Sequence, residues 1–342
     1  MIKRVRLRNF RSHEDIELTF DDGVNAIVGP NGVGKTNILE AIYFTSLGRS
    51  FRAKLPELVQ RDKDWAKTEI DTSSQKIHSL IDDRGEKPTK QLTIDGQKKR
   101  FSKHQLPVVL FEPEQLRMFT AGPELRRSYI DEVIGSTSNV YTDNLKRHQR
   151  LISQRNRLLK HPNPDQSTLF VIDLKLSEYG ATIDKMRREL VEKLNTRASD
   201  IYSHIAPKSS LVDFSYSSSV GSSGDYATNY LKTAEKNRQR DTLLGYTSSG
   251  IHRDDLTASI NDKDVMQTAS RGETRTLAIT AKLIELSLLE EALGEKPILL
   301  LDDVLSELDT ERQNRLLKII GRAQTIIAAT NAERGLDNIK RL

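Results

Sequence analysis

A glycine-rich segment near the start of the chain has the residue types and spacing of a phosphate-binding loop. It reads Gly29-Pro30-Asn31-Gly32-Val33-Gly34-Lys35-Thr36. The glycines let backbone N–H groups turn inward around phosphate oxygens at the positive end of a helix. In this pattern the lysine reaches the β- and γ-phosphates of a nucleotide, and the threonine hydroxyl binds Mg²⁺. We therefore predict a nucleotide phosphate site at residues 29–36, extended by Asn37.

Two aspartates far along the chain are candidates for binding the metal and activating water. Asp302 and Asp303 follow the apolar run Leu299-Leu300-Leu301, which predicts a buried strand. We expect Asp302 to hold Mg²⁺, directly or through water, and Asp303 to polarise the attacking water. Many related ATPases carry the longer glutamate at the second position, so slow hydrolysis is expected here. Two aspartates that end a strand need no function by themselves, but the phosphate loop upstream favours the catalytic interpretation.

The segment Ser270-Arg271-Gly272-Glu273 predicts a further anion site. Serine is a favourable N-cap, and the free N–H groups of a first helical turn attract anions. Taken alone, the four residues favour a plain helix cap. However, a helix of roughly twenty residues follows, then the aspartate strand, and then Ser306-Glu307-Leu308-Asp309. This order is that of ABC-type ATPases, in which the anion site grips the γ-phosphate bound to the opposite subunit.

The remaining sequence predicts the elements that position these residues. Strands are expected near residues 5–7 and at residues 24–28, 107–111, 298–301 and 324–329, with a β-meander over residues 67–101. Helices are expected over residues 36–47, 145–159, 169–205 and 270–294, with Pro162 and Pro164 between the middle two. Residues 209–226 are rich in serine and glycine and predict a poorly ordered loop.

These elements predict an α/β fold of the ABC-ATPase head type, with a mostly parallel sheet and an antiparallel meander. Lobe I is expected to combine residues 1–123 and 242–342, which carry the nucleotide site. Lobe II is expected to be a helical insertion at residues 124–241.

The composition predicts a cytoplasmic protein. No apolar run approaches the ~20 residues that a membrane span requires, and the charged first residues do not form a secretory signal. The absence of cysteine excludes disulfides and thiolate zinc sites. The 53 basic residues nearly balance the 48 acidic ones, for a net charge of +5, so only local clusters indicate a polyanion partner. They are Arg4, Arg6, Arg8 and Arg11; Lys146, Arg147, Arg150, Arg155, Arg157 and Lys160; and Lys232, Lys236, Arg238 and Arg240. Each cluster alone fits a solvated face equally well.

Further segments resemble the RecF family, which comprises bacterial recombination and repair ATPases related to the SMC proteins. These segments are Asn9-Phe10-Arg11-Ser12-His13, Pro113-Glu114, Gly122-Pro123-Glu124-Leu125-Arg126-Arg127-Ser128-Tyr129-Ile130-Asp131, Gly250-Ile251-His252-Arg253-Asp254-Asp255-Leu256, and the run from Leu300 to Asp309. The similarity covers the whole chain in order. It departs at Arg271 and Glu273, where the family more often carries glutamine.

The resemblance implies an ATP-dependent homodimer with one shared site per nucleotide. Lys35, Asp303 and Ser270 acting in trans would be catalytic, and Thr36 with Asp302 would hold Mg²⁺. The residues implied to bind ATP are Arg11, Ser12, Gly29, Pro30, Asn31, Gly32, Val33, Gly34, Lys35, Thr36, Asn37, Ser270 and Gly272. The implied dimer interface contains Ser270, Arg271, Gly272 and Asp309.

The implied role is a clamp on double-stranded and gapped DNA. Slow, DNA-dependent ATP hydrolysis would release it, and RecR and RecO would be its partners. It would help to load recombination proteins and support replication restart and the SOS response, without a membrane partner. Candidate DNA contacts would be Arg126, Arg127, Lys146 and Arg150.

Several alternatives stay open at this point. Arg126 and Arg127 also suit a brace between the lobes. His252 and Arg253 suit either contact with nucleotide or partner subunit, or pairing with the aspartates that follow them. The whole protein also fits an SMC-like head that binds ATP to assemble without turnover. The nucleotide-binding subunit of a transporter is disfavoured by the Asp-Asp pair and by the length of the helical lobe.

Overall fold

A computed structural model describes residues 1–101, 106–161, 163–221, 224–321, 323–330 and 338–342. Pro162, which was predicted to separate two helices, lies outside these residues. The chain forms two compact units, Met1–Leu116 with Glu285–Leu342, and Arg117–Ile284. The predicted helical lobe at residues 124–241 falls within the second unit, which also takes in residues 242–284. The lobe boundaries predicted from the sequence remain predictions.

The described residues contain every strand and helix that was predicted, together with further elements that were not. The strands are β1 (Ile2–Phe10), β2 (His13–Thr19), β3 (Val24–Val28), β4 (Trp65–Thr72), β5 (Lys76–Asp82), β6 (Thr89–Ile94), β7 (Gln97–Lys99), β8 (Val108–Phe111), β9 (Val212–Ser217), β10 (Asp255–Ile260), β11 (Lys263–Asp264), β12 (Ile298–Asp302), β13 (Thr325–Ala329) and β14 (Asn338–Arg341). The α-helices are α1 (Lys35–Leu47), α2 (Pro123–Thr137), α3 (Asn139–Leu159), α4 (Gln166–Ile205), α5 (Tyr226–Leu244), α6 (Val265–Thr268), α7 (Arg271–Leu293) and α8 (Thr310–Ile320). The meander, the strand and helix that flank the phosphate loop, and the long helices are thereby confirmed.

A parallel sheet in the first unit sets the position of the nucleotide-site residues. Its strand order is β14-β3-β13-β12-β8, and each pairing is parallel. Leu299, Leu300 and Leu301 of β12 are all buried, as expected for a strand covered on both faces. Because parallel strands end at the same edge, the loop after β3 and the aspartates after Leu301 lie at one edge of the sheet.

Helix α1 holds this parallel sheet against an antiparallel one. The antiparallel sheet has the order β2-β1-β4-β5-β6-β7, and α1 contacts β1, β4 and β5 on one side and β8, β12 and β13 on the other. Ile38, Leu39, Ile42 and Phe44 of α1 are fully buried, which is typical of a core helix that is apolar around its circumference. The predicted α/β class, with a mostly parallel sheet and an antiparallel meander, is confirmed.

The second unit combines the long helices α3, α4 and α5 with a small antiparallel sheet of order β11-β10-β9. The prediction of a poorly ordered loop at residues 209–226 was wrong for residues 212–217, which form β9 and pair with β10; residues 222 and 223 lie outside the described residues. Val212 and Phe214 are buried between exposed neighbours, so a period of two was present beneath the serine-rich composition. Among the described residues, no helix combines the length and apolar character needed to cross a membrane.

Buried arginines hold the second unit together. Arg126, Arg155 and Arg187 are each at most 1% exposed. The guanidinium of Arg155 lies 2.6 Å from Asp173 Oδ1 and 2.7 Å from Asp241 Oδ2, and both aspartates are buried as well. A buried charge is tolerated only when such partners satisfy it. Part of the basic character read from the sequence is therefore internal.

Candidate functional site

Gly34 brings the turn between β1 and β2 onto the phosphate loop. Its φ of +104° is one that side-chain-bearing residues rarely adopt. A Cβ at this position would also collide with the His13 imidazole and the Ser12 hydroxyl. His13 Nε2 lies 3.0 Å from the Gly34 carbonyl oxygen. The turn that carries Arg11 and Ser12 is thereby held beside the loop, where the sequence analysis expected both residues.

The two predicted metal ligands are in direct contact. Thr36 Oγ1 donates a hydrogen bond of 2.7 Å to Asp302 Oδ1, although 266 positions separate the two residues. Burial raises the pKa of Asp302, against the lowering effect of this hydrogen bond. Lys35 Nζ donates to the carbonyl oxygens of Gly29 at 2.7 Å and Pro30 at 2.9 Å. A hydroxyl and a carboxylate are both hard oxygen donors, so the pair fits Mg²⁺.

The segment after β12 fixes Asp303 and Asp309 in different ways. Asp303 has a φ of +53°, which aspartate tolerates better than most residues. Its N–H donates to the Ala328 carbonyl oxygen at 2.9 Å, and its own carbonyl accepts from Ser306 Oγ at 2.7 Å. Asp309 is the N-cap of α8 and accepts the Arg312 N–H at 2.9 Å. The backbone beside Asp302 is therefore fixed, and the Asp309 carboxylate serves a helix end.

A buried carboxylate that sequence reasoning missed organises the basic residues near the loop. Glu40 is fully buried and accepts Arg11 Nε and Nη2, each at 2.9 Å. It also accepts Arg52 Nη2 at 3.1 Å and the Ser50 hydroxyl. Burial raises the pKa of Glu40, but the hydrogen bonds from Arg11 and Ser50 and the charge of Arg52 outweigh it and lower this pKa. The signal in the sequence was one acid within the apolar run of α1.

An open cavity of about 630 Å³ adjoins this network. It is lined by Arg11, Ser12, Asn37, Arg52, Glu57, Val59 and Arg61. Asn37 Nδ2 donates to Ser12 Oγ at 2.8 Å, and Arg52 donates to the Asn37 side-chain oxygen. Because Asn37 directly follows Thr36, the cavity lies next to the phosphate loop. Its arginines suit an anionic ligand, and Arg52 and Arg61 were not predicted from the sequence.

The predicted anion site in the second unit is a capped helix N-terminus. Ser270 N–H and Oγ donate to Glu273 Oε2 at 2.8 and 2.7 Å, and Glu273 N–H donates back to Ser270 Oγ at 3.3 Å. This reciprocal arrangement is a capping box. Arg271, which is exposed, and Gly272 form the first turn of α7. The two serine donors are thus engaged by the carboxylate of the same turn.

The predicted DNA contacts differ in their accessibility. Arg126 is 1% exposed, donates to both carboxylate oxygens of Asp255 at 2.8 Å and also reaches two backbone carbonyls. Its prediction as a DNA contact is wrong, because the guanidinium is consumed inside the second unit. The side chain of Arg127 is 16% exposed and donates to a backbone carbonyl oxygen at 2.9 Å. Lys146 and Arg150 are exposed on α3 and stay candidates.

The arginines of β1 are neutralised by adjacent strands. The ion pairs join Arg4 to Asp71 at 2.8 Å and Glu17 at 3.0 Å, Arg6 to Asp15 at 2.6 Å, and Arg8 to Glu69 at 3.2 Å. Cross-strand neighbours of opposite charge stabilise an antiparallel sheet. The first basic cluster therefore has a structural explanation that needs no polyanion.

The segment containing His252 and Arg253 turns towards Thr247 rather than the aspartates that follow it. His252 Nε2 lies 3.1 Å from the Thr247 carbonyl oxygen, and Arg253 Nε donates to the same oxygen at 3.4 Å. Burial lowers the pKa of His252 to about 4, and burial also lowers the pKa of the neighbouring His148 to about 3. Both imidazoles are therefore neutral at pH 7.

Comparison with known proteins finds relatives along almost the whole chain. The family model for the RecF/RecN/SMC N terminal domain matches residues 1–337. The DNA replication and repair protein RecF of Halalkalibacterium halodurans is 36% identical, over 98% of this chain and 94% of the relative. The RecF protein of Clostridium botulinum is 37% identical, over 97% of this chain and 93% of the relative.

Solved structures agree with this assignment. The recombination mediator protein RecF with ATP, in the RecFOR pathway, has a TM-score of 0.84 at 33% identity, covering 97% of this chain and 92% of that one. RecF-ATPrS has a TM-score of 0.89 at 32% identity, covering 100% and 96%. The Smc head domain of Pyrococcus furiosus shares the fold, with a TM-score of 0.52 at 16% identity, covering 96% and 89%. The chain belongs to the RecF family of DNA replication and repair proteins.

Proposed function

We propose that this protein is an ATP-dependent DNA-binding clamp of recombinational repair. The observation that supports this most strongly is the 2.7 Å hydrogen bond between Thr36 and Asp302. It joins the phosphate loop to the strand-end carboxylate at one edge of the parallel sheet, which is the arrangement of a Mg²⁺–ATP site. A related RecF structure contains ATP, in agreement with this ligand.

Each residue of the loop has a distinct role in this proposal. Lys35 exchanges the carbonyl oxygens of Gly29 and Pro30 for β- and γ-phosphate oxygens. Thr36 and Asp302 hold Mg²⁺, which neutralises phosphate charge when it is bound. Asp303 polarises the attacking water, and its short side chain makes hydrolysis slow.

Basic residues beside the loop complete the nucleotide site of each copy. Arg11 and Ser12 reach the phosphates from the turn that Gly34 holds against the loop. The arginine cavity next to Asn37 adds positive charge beside the phosphates. The buried Glu40 fixes Arg11 there, so the guanidinium keeps its position before the ligand arrives.

Two copies close on ATP in this proposal. Ser270 and Gly272 of one copy bind the γ-phosphate held by the other, with Arg271 and Asp309 at the interface. The start of α7 supports this, because its Ser270 N–H and hydroxyl already bind an anionic group, the Glu273 carboxylate, at 2.8 and 2.7 Å. The closed state depends on contact with the γ-phosphate, so hydrolysis releases the clamp.

The closed dimer binds duplex and gapped DNA through phosphate contacts. RecO and RecR are the proposed partners, since a related structure belongs to the RecFOR pathway. With them the clamp helps to load recombination proteins, and it supports replication restart and the SOS response in the cytoplasm. The rival is an SMC-like head that binds ATP and assembles without turnover.

Sedimentation with and without ATP tests the shared site. We expect the parent protein to dimerise on ATP, Lys35→Met to lose both ATP binding and dimerisation, and Ser270→Arg to bind ATP yet stay monomeric. The Ser270→Arg variant is the matched control, because it separates the second copy's contribution from the loop. A parent that stays monomeric at saturating ATP, with turnover blocked, would contradict the proposal.

Turnover measured with and without duplex DNA separates the clamp from its rival. We expect slow hydrolysis that DNA accelerates and that Asp303→Asn abolishes. If Asp303→Asn hydrolyses ATP as fast as the parent, the role given to that residue is wrong. If the parent dimerises on ATP and shows no turnover at all, the structural head is the better description.

A further inference from the structure

The exposed face of α3 carries a stripe of cations. Lys146, Arg150, Arg157 and Lys160 are all exposed and follow one another at intervals of four, seven and three residues. These intervals place them on one face of the helix, and at 1.5 Å per residue the stripe is about 21 Å long. The opposite face is buried in the second unit and includes the Arg155 ion pairs. We call these four residues the α3 stripe.

Several cations on other helices of this protein have carboxylate partners one turn away. The pairs are Lys175 with Glu178, Lys185 with Glu189 and Arg188 with Asp184 on α4, and Arg312 with Asp309 and Arg315 with Glu311 at α8. Ion pairs between residues three or four positions apart reduce the net positive charge that a helix presents to solvent.

The α3 stripe lacks such pairs among the described residues, as do Lys232, Lys236 and Arg240 of α5. The positions three and four residues away from Arg150 and Arg157 hold Lys146, Arg147, Ser153, Gln154, Lys160 and His161. In the part of the chain that the structure describes, no stripe residue belongs to an ion pair. Asp143 lies three residues before Lys146 but forms no ion pair with it. Like charges at these intervals repel one another, so the stripe favours an external anion as its partner.

We propose that the α3 stripe binds the sugar-phosphate backbone of duplex DNA, an inference that rests on the clamp function proposed above. Lysine and arginine are the main phosphate contacts of DNA-binding proteins, and serine and glutamine also contribute. Ser153 and Gln154 lie between the stripe cations and are exposed.

The chemistry of the stripe favours a duplex over a single strand. A strand of a duplex advances 3.4 Å per phosphate along its axis, so a 21 Å stripe faces roughly six phosphates. Proteins that hold single strands add aromatic side chains on which the bases stack. The stripe and the exposed residues between its members, within α3, include no aromatic side chain.

The test compares two triple variants that lose the same charge. The stripe variant is Arg150→Gln with Arg157→Gln and Lys160→Gln. The matched control is Lys175→Gln with Lys185→Gln and Lys193→Gln, which removes three exposed cations from α4 in the same unit. Glutamine retains high helix propensity, and equal thermal midpoints and ATP affinities confirm that both variants fold.

Binding of a labelled duplex is measured with ATP over a salt series from about 50 to 200 mM. Losing three phosphate contacts should weaken binding about 100-fold or more at 0.1 M salt, and should flatten the slope of log K against log salt by about 2 to 3. The control should bind within about threefold of the parent. Salt largely screens the interaction between DNA and surface charges that lie more than a Debye length from it.

The outcomes separate this inference from the function on which it rests. A parent that fails to bind duplex DNA with ATP refutes the clamp, and the stripe assignment with it. A parent that binds, alongside a stripe variant with unchanged affinity and slope, overturns the stripe alone. Equal losses in both triple variants also overturn it, because net charge would then be the cause. A stripe variant that keeps duplex affinity but loses polyglutamate binding indicates an acidic polypeptide partner instead.

Discussion

Glu273→Gln should strengthen the ATP-dependent dimer. The Glu273 carboxylate accepts both the N–H and the hydroxyl of Ser270, at 2.8 and 2.7 Å. These are the donors that the γ-phosphate of a second copy needs in the proposed clamp. The carboxylate therefore competes with the phosphate, and its negative charge also repels it.

The expected change in the free energy of dimerisation comes from the loss of the Glu273 charge alone, because glutamine also serves in a capping box. Hydrogen bonds to a charged acceptor contribute about 1 kcal/mol more than neutral ones. Repulsion between two unit charges about 5 Å apart adds about 1 kcal/mol in a water-like dielectric. A dimer with two such sites should gain about 2–4 kcal/mol, so its Kd should fall by about 30- to 1,000-fold.

Sedimentation of parent and variant with ATP, in an Asp303→Asn background that blocks turnover, measures this change. Glu290→Gln is the matched control: it removes the same charge from an exposed position seventeen residues along α7 from Glu273, about 26 Å away. We expect the control to dimerise like the parent, and both variants to unfold at the same urea concentration. An unchanged dimer Kd for Glu273→Gln would refute the competition for Ser270. An equal gain in dimer affinity without ATP would also refute it.

Three further predictions concern stability and nucleotide affinity. As pH falls from 7 to 5, an unfolded chain protonates His148 but the folded chain, in which its pKa is about 3, does not. Between pH 7 and pH 5, His148→Phe should therefore lose about 2 kcal/mol less unfolding free energy than the parent does, as measured by urea titration. Identical losses would contradict the burial of His148. Arg155→Leu should lower the free energy of unfolding by about 3–5 kcal/mol, because among the described residues it leaves the buried Asp241 without an ion pair and the buried Asp173 with Arg238 alone. The exposed Arg157→Leu should cost under about 0.5 kcal/mol, and similar urea midpoints would contradict the ion-pair argument. Glu40→Gln should weaken ATP binding about tenfold, because Arg11 and Arg52 lose a charged partner. Glu57→Gln, on the same cavity, is the control and should bind ATP like the parent. Equal ATP affinities of the two variants in a fluorescence titration would contradict the role of Glu40.

Local patterns carried most of the secondary structure and the first part of the site. The phosphate loop could be read directly, because its chemistry depends on backbone N–H groups and glycine conformations within one segment. The position of Asp302 followed from a strand-end rule, and the contact with Thr36 agrees with it. The strand at residues 212–217 was missed, since its pairing with β10 is a long-range contact and its serines resemble a loop.

The α/β class, the phosphate loop and the family resemblance could be predicted before any coordinates were known, since they depend on short segments and their order. Which charged side chains are free could not be predicted in this way, because it depends on the fold. Arg126 and Arg150 look alike in the sequence, but Asp255, 129 positions away, pairs with Arg126, while Arg150 faces solvent. In the same way Glu40 gains its role from Arg11 and Arg52. An ionic interaction acts over a few ångströms, so it depends on which residues the fold brings together.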